Sequence, residues 1–589
     1  MQRGEIVEPV RERLWRLKEA EPALVERLAR EAGIPPLLAV VLANRGFGEP
    51  LEAKRFLSAS LADIHDPLTM LGMESAVARL LSSVTTGEKV CVYGDYDVDG
   101  ITAVALLIDF FRKIGLDSLY YIPNRLEEGY GLSIEGVRSV AAAGAKVIVT
   151  VDCGITAVEE AQLCVELGIA LIITDHHTPG PLIPAACAVI NPLQPGCPFP
   201  FKYLSGVGLA YNLAIALRGA LRGTGHFDAR PEPNLREYLD LVALGTVADI
   251  VPLVDENRIF VKHGLNELTR SARPGVQALK KVAGVDGPVT CGAVGFRLAP
   301  RLNAAGRLED AALGVELILC NDRQRGEAIA DELNTNNLER QALEQEILRE
   351  ALEMVGKDPL SNGRKSIVLS SDTWHPGVIG IVASRIVELF YRPTILIAMQ
   401  NGSGRGSGRS IPNFHLYDAL RACSEHLLKF GGHKYAAGIA IDEATLEKFA
   451  SSFDAVAGGL LSDADLIPEL AIDGVITPAE LTLELAGQVE RLAPFGMGNP
   501  EPLFLLRGAR VISRRVLKER HLKLRLGCGE QVVEAIGFNL DHEAATDSEV
   551  DLVCCLQINI WNGHRGVQLR IRDIRTAGIG GSDSGVVEL

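Results

Sequence analysis

The chain has 589 residues, with 59 Lys and Arg against 75 Asp and Glu, and a formal net charge of −16. At roughly 100–200 residues per domain this length predicts several domains, and 47% hydrophobic with 23% charged residues excludes wholesale disorder, collagen and coiled coil. No run of about 18 apolar residues lacks a breaker, which excludes a membrane-spanning helix; the whole-chain charge reads as that of a poor nucleic-acid binder.

Residues 1–75 read as a helical extension, because LWRLKEAEPALVERLAREAG carries apolar residues at helical spacing before a Gly stop. The opening MQRGEIVEPVRERL has no apolar core for a signal peptide. From 76 to 321 strand and helix alternate: KVCVYG, SLYYIP, AKVIVTVD and ALIITD are short Val- and Ile-rich runs between helical segments. Strands buried on both faces of a parallel sheet look like this, so the class is α/β, doubly wound. The polar stretch 322–355, with nine acids and four bases, reads as a solvated connecting helix. A second α/β domain is expected over 356–460, with KSIVLSS and PTILIAM as strands and RGSGRSIP as a Gly/Ser loop. Over 466–577 five alternating strands suit a small barrel such as an OB-fold. The tail 578–589 is Gly/Ser-rich and reads as disordered. The eleven Cys lack CxxC spacing and read as reduced thiols of a cytoplasmic protein, with no zinc site.

Carboxylates and histidines gather at the expected strand ends of the first α/β domain. They are Asp95, Asp97 and Asp99 in GDYDVDG, Asp152 in VDCG, Asp175, His176 and His177 in TDHH, and Asp249 in the apolar run LVALGTVADIVPL. In open α/β sheets the carboxyl ends of strands line one crevice, so these segments converge. Asp and His at one point are ligands for divalent metals, and the mixture suits Mn²⁺ better than an all-oxygen Mg²⁺ site. The EF-hand alternative for D-x-D-x-D-G fails, because position twelve of that loop is Leu106 rather than Glu. A strand-end Asp can equally be a helix cap. Asp95, Asp97, Asp99, Asp152, His176, His177 and Asp249 are too many for one metal with open positions. Two ions roughly 3.5–4 Å apart would use them, and such a pair clamps both oxygens of an in-line phosphoryl displacement. The reaction class is therefore metal-assisted phosphate-ester hydrolysis; no GxxxxGK[ST] is present for an NTP-driven motor.

The order VYGDYDVDG, VDCG, TDHH, ALGTVADIVPL resembles the DHH phosphoesterase superfamily, and details place it near that superfamily's bacterial single-strand-specific exonucleases. HDPLTMLGMESAVARL, RLEEGYGLS, SGVGLAY, APRLNAAGRLEDA, HPGVIGIVASRI, GSGRSIP, GGHKYAAG and PFGMGNPEPLF carry that resemblance over roughly 50–575. It implies a DHH domain and a DHH-associated domain joined by a long helix, with a C-terminal OB-fold. It implies two ions of Mn²⁺ (or Mg²⁺) and hydrolysis of single-stranded DNA 5′→3′ to mononucleotides, in DNA repair and recombination. It also implies metal ligands at Asp97, Asp99, Asp152, Asp249 and His176, with Asp99 and Asp152 bridging and Asp95 beside them. His177 would contact the scissile phosphate or transfer a proton, and Asp175 would orient a histidine ring.

For the substrate end, the second lobe is expected to offer Arg301, Asn303 and Arg307 as planar donors. Arg307 has the alternative of an ion pair with Glu309 or Asp310. Ser407, Arg409 and Ser410 would bind phosphate with a fork and backbone N–H groups, and Gly431, Gly432 and His433 resemble a substrate loop. Arg125 could meet the entering strand, and Tyr130 or Tyr96 could stack on bases. Other readings are a phosphodiesterase of short oligonucleotides or cyclic dinucleotides, a metal-free single-strand-binding scaffold, and an inorganic pyrophosphatase. A single-strand-binding protein and a helicase are partners only by resemblance; no membrane partner is expected, and a monomer is. The charge, counted regionally, is less unfavourable: 503–530 holds eight bases and two acids, and 357–440 ten bases and five acids. A basic path toward an acidic, cation-filled site is expected, with binding that weakens as salt rises.

Overall fold

The computed structural model describes residues 13–124, 128–129, 131–308, 311–357, 363–518, 520–540, 545–561, 563–577 and 586–588, with backbone alone at 307–308, 357, 561 and 586–588. The chain forms two compact units. Unit 2 comprises Pro22–Asn337 with Thr482–Pro502; unit 1 comprises Met1–Glu21, Leu338–Leu481 and Leu503–Leu589.

The first element is a strand, β1 (Leu14–Leu17), and it corrects the helical reading of LWRL. It pairs parallel with a later strand at Glu469–Ile472. Trp15 is buried with Ile472, Leu505 and Val553, and its indole N–H donates to Asp573 at 2.7 Å. Partners remote in sequence thus override the local helical spacing. Helices α1 (Pro22–Ala32), α2 (Pro36–Asn44), α3 (Pro50–Ser58) and α4 (Met73–Thr86) follow.

The alternating region of unit 2 then builds β2 (Val90–Gly94), α5 (Val98–Lys113), β3 (Ser118–Tyr121), α6 (Ile134–Ala142), β4 (Val147–Val151), α7 (Val158–Glu166), β5 (Ala170–Thr174) and β6 (Ala188–Ile190). The sheet is parallel, in the order β3-β2-β4-β5-β6. Alternate residues of each strand face opposite layers. Val90, Val92, Val147 and Val149 pack on one face with Phe110 and Leu213, while Cys91, Tyr93 and Ile148 pack on the other with Val137 and Leu163. Burial on both faces accounts for the unbroken Val/Ile runs.

Helices α8 (Gly206–Gly223), α9 (Leu239–Ala248), α10 (Asp255–Arg270), α11 (Pro274–Val282), the single turn α12 (Cys291–Ala293), α13 (Ala299–Leu308) and α14 (Ala312–Leu319) complete this part of unit 2. The LVALGTVA run preceding Asp249 is therefore a helix, not a strand. A short all-apolar run does not distinguish the two. The long helix α15 (Arg323–Lys357) carries the chain from unit 2 into unit 1.

Unit 1 contains β7 (Ile367–Ser371), α16 (Ile379–Phe390), β8 (Thr394–Gln400), β9 (Ser403–Arg409), α17 (Leu416–Ala422), β10 (Lys429–Gly432), β11 (Ala436–Asp442) and α18 (Leu446–Leu460). Its sheet runs β10-β11-β9-β8-β7. The expected Gly/Ser loop is the strand β9, inside this sheet. A Cβ at Gly404 or Gly406 would fall 2.7 Å or less from Ile397 or Ile439 side chains, so one strand face is kept bare for close packing.

The chain continues through β12 (Glu469–Ile472), β13 (Gly474–Val475) and α19 (Leu483–Glu490), the last within unit 2. Strands β14 (Phe504–Leu517), β15 (His521–Cys528), β16 (Gln531–Gly537), β17 (Glu549–Trp561) and β18 (His564–Thr576) then close into a barrel through the β14–β17 pairing. Period-two burial along β15 separates a packed interior from exposed Arg525, and Arg507, Arg514 and Arg515 of β14 are exposed as well. Residues 578–585 and 589 of the expected disordered tail lie outside the described residues, whereas β19 (Val586–Glu588) pairs parallel with β1. Among the described residues no helix is long and apolar enough to cross a membrane.

Candidate metal centre

Three neighbouring strands end at one level. Gly94 pairs with Val151, and Val151 with Thr174, so the residues that follow, Asp95, Asp152 and Asp175, emerge together at the carboxyl edge. Asp95 and Asp152 are buried, and Asp152 sits at φ 61, a left-handed turn that Asp tolerates. Asp97 caps α5, its Oδ1 accepting from the Asp99 and Gly100 N–H groups at 2.9 and 3.2 Å. Capping and a place beside the carboxylates are thus combined in one residue.

Asp99, in the first turn of α5, points into the amino end of α8. Its two oxygens accept from Gly206 N–H at 2.6 Å and Val207 N–H at 2.8 Å, an arrangement the helix dipole favours. A Cβ at Gly206 would lie 2.6 Å from the Asp152 Cβ, so only glycine fits there. Ser205 caps α8 and meets the Thr246 hydroxyl at 2.8 Å, which ties α8 to the end of α9. Asp249 caps that end.

The donors converge in overlapping triads: Asp152, His176 and His177; Asp99, His176 and Asp249; Asp95, Asp97 and Asp152, each with ligand atoms within 4.8 Å of one another. His176 Nε2 lies 3.1 Å from Asp152 Oδ1 and 3.6 Å from Asp249 Oδ2. The His176 nitrogen and this Asp249 oxygen are buried and make no hydrogen bond among the described residues. A buried carboxylate oxygen and a ring nitrogen facing each other, as at Asp249 and His176, are costly unless a cation joins them. The donor set therefore fits a divalent metal.

The electrostatics agree. Burial, then the charge of Asp97, raises Asp99 to about 7 against the pull of its two backbone N–H donors. Burial, then Asp99 and Asp97, raises Asp249 to about 9, and Asp152 is driven well up by burial and then by Asp99. His176 is lowered to about 4 by burial and by His177, so its ring is neutral and offers a lone pair. His177 differs. Burial opposes its charged form, but the Asp175 carboxylate, 2.7 Å from Nδ1, outweighs that and holds it above the usual imidazole range. Asp175 is itself below the ordinary carboxylate range: burial raises it, but the His177 hydrogen bond and the Ile155 N–H at 2.9 Å prevail. With Nδ1 engaged, His177 presents Nε2.

The residues expected at the substrate end fall in different places. Arg301 and Asn303 belong to unit 2, not to the second lobe. Arg301 donates to Asn334 and to the carbonyls of Arg297 and Val282, so its fork is spent on helix packing. Asn303 accepts the Val98 N–H at 3.1 Å and so anchors the first turn of α5 beside the carboxylates. Arg125 and Tyr130 lie outside the described residues, as do the Arg307 side chain and its alternative partners Glu309 and Asp310. Tyr96 is half-buried against the core. In unit 1, Arg409 is folded back: Nη1 donates to Ser407 Oγ at 3.1 Å and Gly408 O at 2.7 Å. Ser410 Oγ donates to Phe414 O at 2.8 Å. Gly431 and Gly432 end β10, exposed, and His433 N–H closes the turn onto Ala436 O at 2.8 Å. Sequence reasoning assigned no role to the backbone donors Gly206, Val207 and Ile155. Ser205, which opens SGVGLAY, is the cap signal that marks the first two.

Comparison with known proteins bears on the family and the fold. Family models match at 89–246 (DHH family, N-terminal domain), 363–459 (DHHA1 domain) and 472–573 (RecJ OB domain). The chain is 41% identical to the single-stranded-DNA-specific exonuclease RecJ of Escherichia coli, over 92% of this chain and 96% of that one. The chain belongs to the RecJ family. The fold is similar to a crystal structure of RecJ from Thermus thermophilus in complex with Mn²⁺, with TM-score 0.81, 35% identity and coverage of 96% of this chain and 79% of that one. A second RecJ structure from that organism, in complex with Mg²⁺, matches with TM-score 0.76, 33% identity and coverage of 96% and 78%.

Proposed function

We propose that this chain hydrolyses single-stranded DNA as an exonuclease, 5′→3′ to mononucleotides, using two Mn²⁺ or Mg²⁺ ions, in DNA repair and recombination. The observation that carries the reading is the convergence of seven Asp and His side chains at one sheet edge. RecJ relatives named as single-stranded-DNA-specific exonucleases, and RecJ structures with Mn²⁺ and with Mg²⁺, support it.

Asp97, Asp99, Asp152, His176 and Asp249 would hold the ions, with Asp95 beside them. Bound cations there supply Lewis acidity, lowering the pKa of a water and offsetting charge on the phosphodiester. Gly206 and Val207 fix the Asp99 carboxylate, and Asn303 fixes the turn that carries it. His177, held protonated at Nδ1 by Asp175, donates from Nε2 to a phosphate oxygen or to the leaving oxygen. Arg409, Ser407 and Ser410, with Gly431, Gly432 and His433, serve the 5′ end of the substrate, and the exposed arginines of the barrel hold the strand electrostatically. Free thiols at the described cysteines fit a reducing cytoplasm. A monomer that cooperates with a helicase and a single-strand-binding protein completes the reading.

The test is digestion of a long single strand labelled at either end, with Mn²⁺, with EDTA and with Asp97→Ala. Mononucleotides released from the 5′ end only, abolished by EDTA and by the substitution, are expected. EDTA-insensitive degradation, or a preference for a dinucleotide, would overturn the reading.

A further inference from the structure

The backbone is strained at the residue after Asp249, while Asp249 itself is right-handed helical. Ile250 has φ 61 and a side chain left 65% exposed. A β-branched residue in the left-handed region costs about 1–2 kcal/mol, and such a conformation persists only where the surroundings over-determine it.

The surroundings come from a remote stretch, the PFGMGN motif. Leu253 N–H donates to Met497 O at 2.7 Å. Gly496 and Gly498 lie against the same strap: a Cβ at Gly496 would fall 2.7 Å from Leu253 Cδ1, and one at Gly498, where φ is +70, would fall 3.0 Å from Pro252 Cβ. The motif is itself clamped. Buried Arg258 donates to Leu492 O at 2.7 Å, Arg491 O at 3.0 Å and Phe56 O at 2.9 Å. Asn499 Nδ2 donates to the Leu492 and Pro494 carbonyls at 2.8 and 2.7 Å. Arg45 donates to Asn499 Oδ1, and to Pro500 O at 2.7 Å. These residues all belong to unit 2, although the loop falls inside the span matched by the RecJ OB domain.

We propose that the 491–500 loop is a positioning element of the metal centre: it holds the strained strap 250–253 so that Asp249 faces His176 and Asp99. No residue of the loop touches the reacting atoms; its effect passes through Leu253 and Pro252. The proposal rests on Asp249 being a metal ligand, as read above.

The test is Mn²⁺ binding by titration calorimetry on the full chain, alongside exonuclease kinetics. Gly496→Ala and Gly498→Ala should each weaken Mn²⁺ binding about tenfold, as loss of an outer support of a metal ligand does. Their activity should recover at high Mn²⁺, with the KM for single-stranded DNA unchanged. Gly33→Ala is the control, since Gly33 has φ +67 but open space around its Cβ position; it should bind Mn²⁺ like the parent. Leu253→Ala combined with Gly496→Ala removes the clashing atoms and should restore most of the affinity. Arg45→Gln, which only loosens the loop from the end of α2, covers the case in which a glycine variant folds poorly, and should weaken Mn²⁺ binding about threefold. Parent-like Mn²⁺ affinity in Arg45→Gln and in every folded glycine variant overturns the inference. A parent chain that binds no Mn²⁺, or works in EDTA, overturns instead the reading on which it rests.

Discussion

Loading the metal centre must expel protons. At pH 7 a carboxyl with a pKa of about 9, such as Asp249, holds nearly one proton, and one of about 7, such as Asp99, holds about half. Metal ligation requires both to ionise, so Mn²⁺ binding at pH 7 should release about 1.5 protons, with Asp152 adding to that number. At pH 9 Asp99 is ionised beforehand and Asp249 half so, and the release from these two falls to about 0.5. The same shifts fix the sign of the metal-free stability. A carboxyl whose folded pKa is raised binds more protons folded than unfolded, so its stabilisation is complete below about pH 4 and is lost as pH climbs through about 7 for Asp99 and about 9 for Asp249. The slope is at most about 1.4 kcal/mol per pH unit for each such proton. Titration calorimetry of Mn²⁺ into metal-free protein, in two buffers of different ionisation enthalpy, counts the protons directly. Asp249→Asn should lower the count by about one. A release below about 0.3 protons at pH 7, or one that grows between pH 7 and 9, would refute the reasoning.

Other consequences are testable. Asp175→Asn removes the charge that holds His177 above the imidazole range, so its pKa should fall; the stabilising pair it ends is one that operates below about pH 6.5 and fades as pH rises through the folded value. An NMR titration of His177 in the metal-free protein measures this, and an unchanged value would contradict the assignment. Arg258→Met takes the guanidinium donor from the Phe56 and Arg491 carbonyls and leaves Leu492 O with Asn499 Nδ2 alone, and should destabilise unit 2 by about 2 kcal/mol in urea unfolding. A loss under about 1 kcal/mol would mean that water satisfies those carbonyls.

What could be read from residue order is what local physics fixes. The Val/Ile runs of β2, β4 and β5 announce a doubly covered sheet, and the carboxylates just past them mark its functional edge. The less legible parts depend on partners distant in sequence or on backbone atoms. LWRL becomes a strand because Glu469–Ile472 pairs with it. The Asp249 run is apolar throughout and could be either element. Alternate glycines in SGRGSGR suggest a loop, yet they are the bare face of β9, pressed on Ile397 and Ile439. The donors to Asp99 are main-chain N–H groups, which every residue but proline carries. Arg301 looks like a phosphate fork by type, but its guanidinium is spent on neighbouring carbonyls and Asn334.

Unit 2 is assembled from two stretches, and the second, Thr482–Pro502, follows all of 338–481 in the chain. On the ribosome, every residue of the carboxylate cluster emerges long before that stretch does. Until it arrives, Arg258 lacks the Leu492 and Arg491 carbonyls, and a buried guanidinium short of acceptors is costly. The strap after Asp249 likewise waits for Met497. Domains generally fold as units during synthesis, but this one cannot close until the chain has passed residue 500. On the bracing proposed above, the metal centre gains its support only after residue 500 has been made, long after its last acidic residue, Asp249, has emerged.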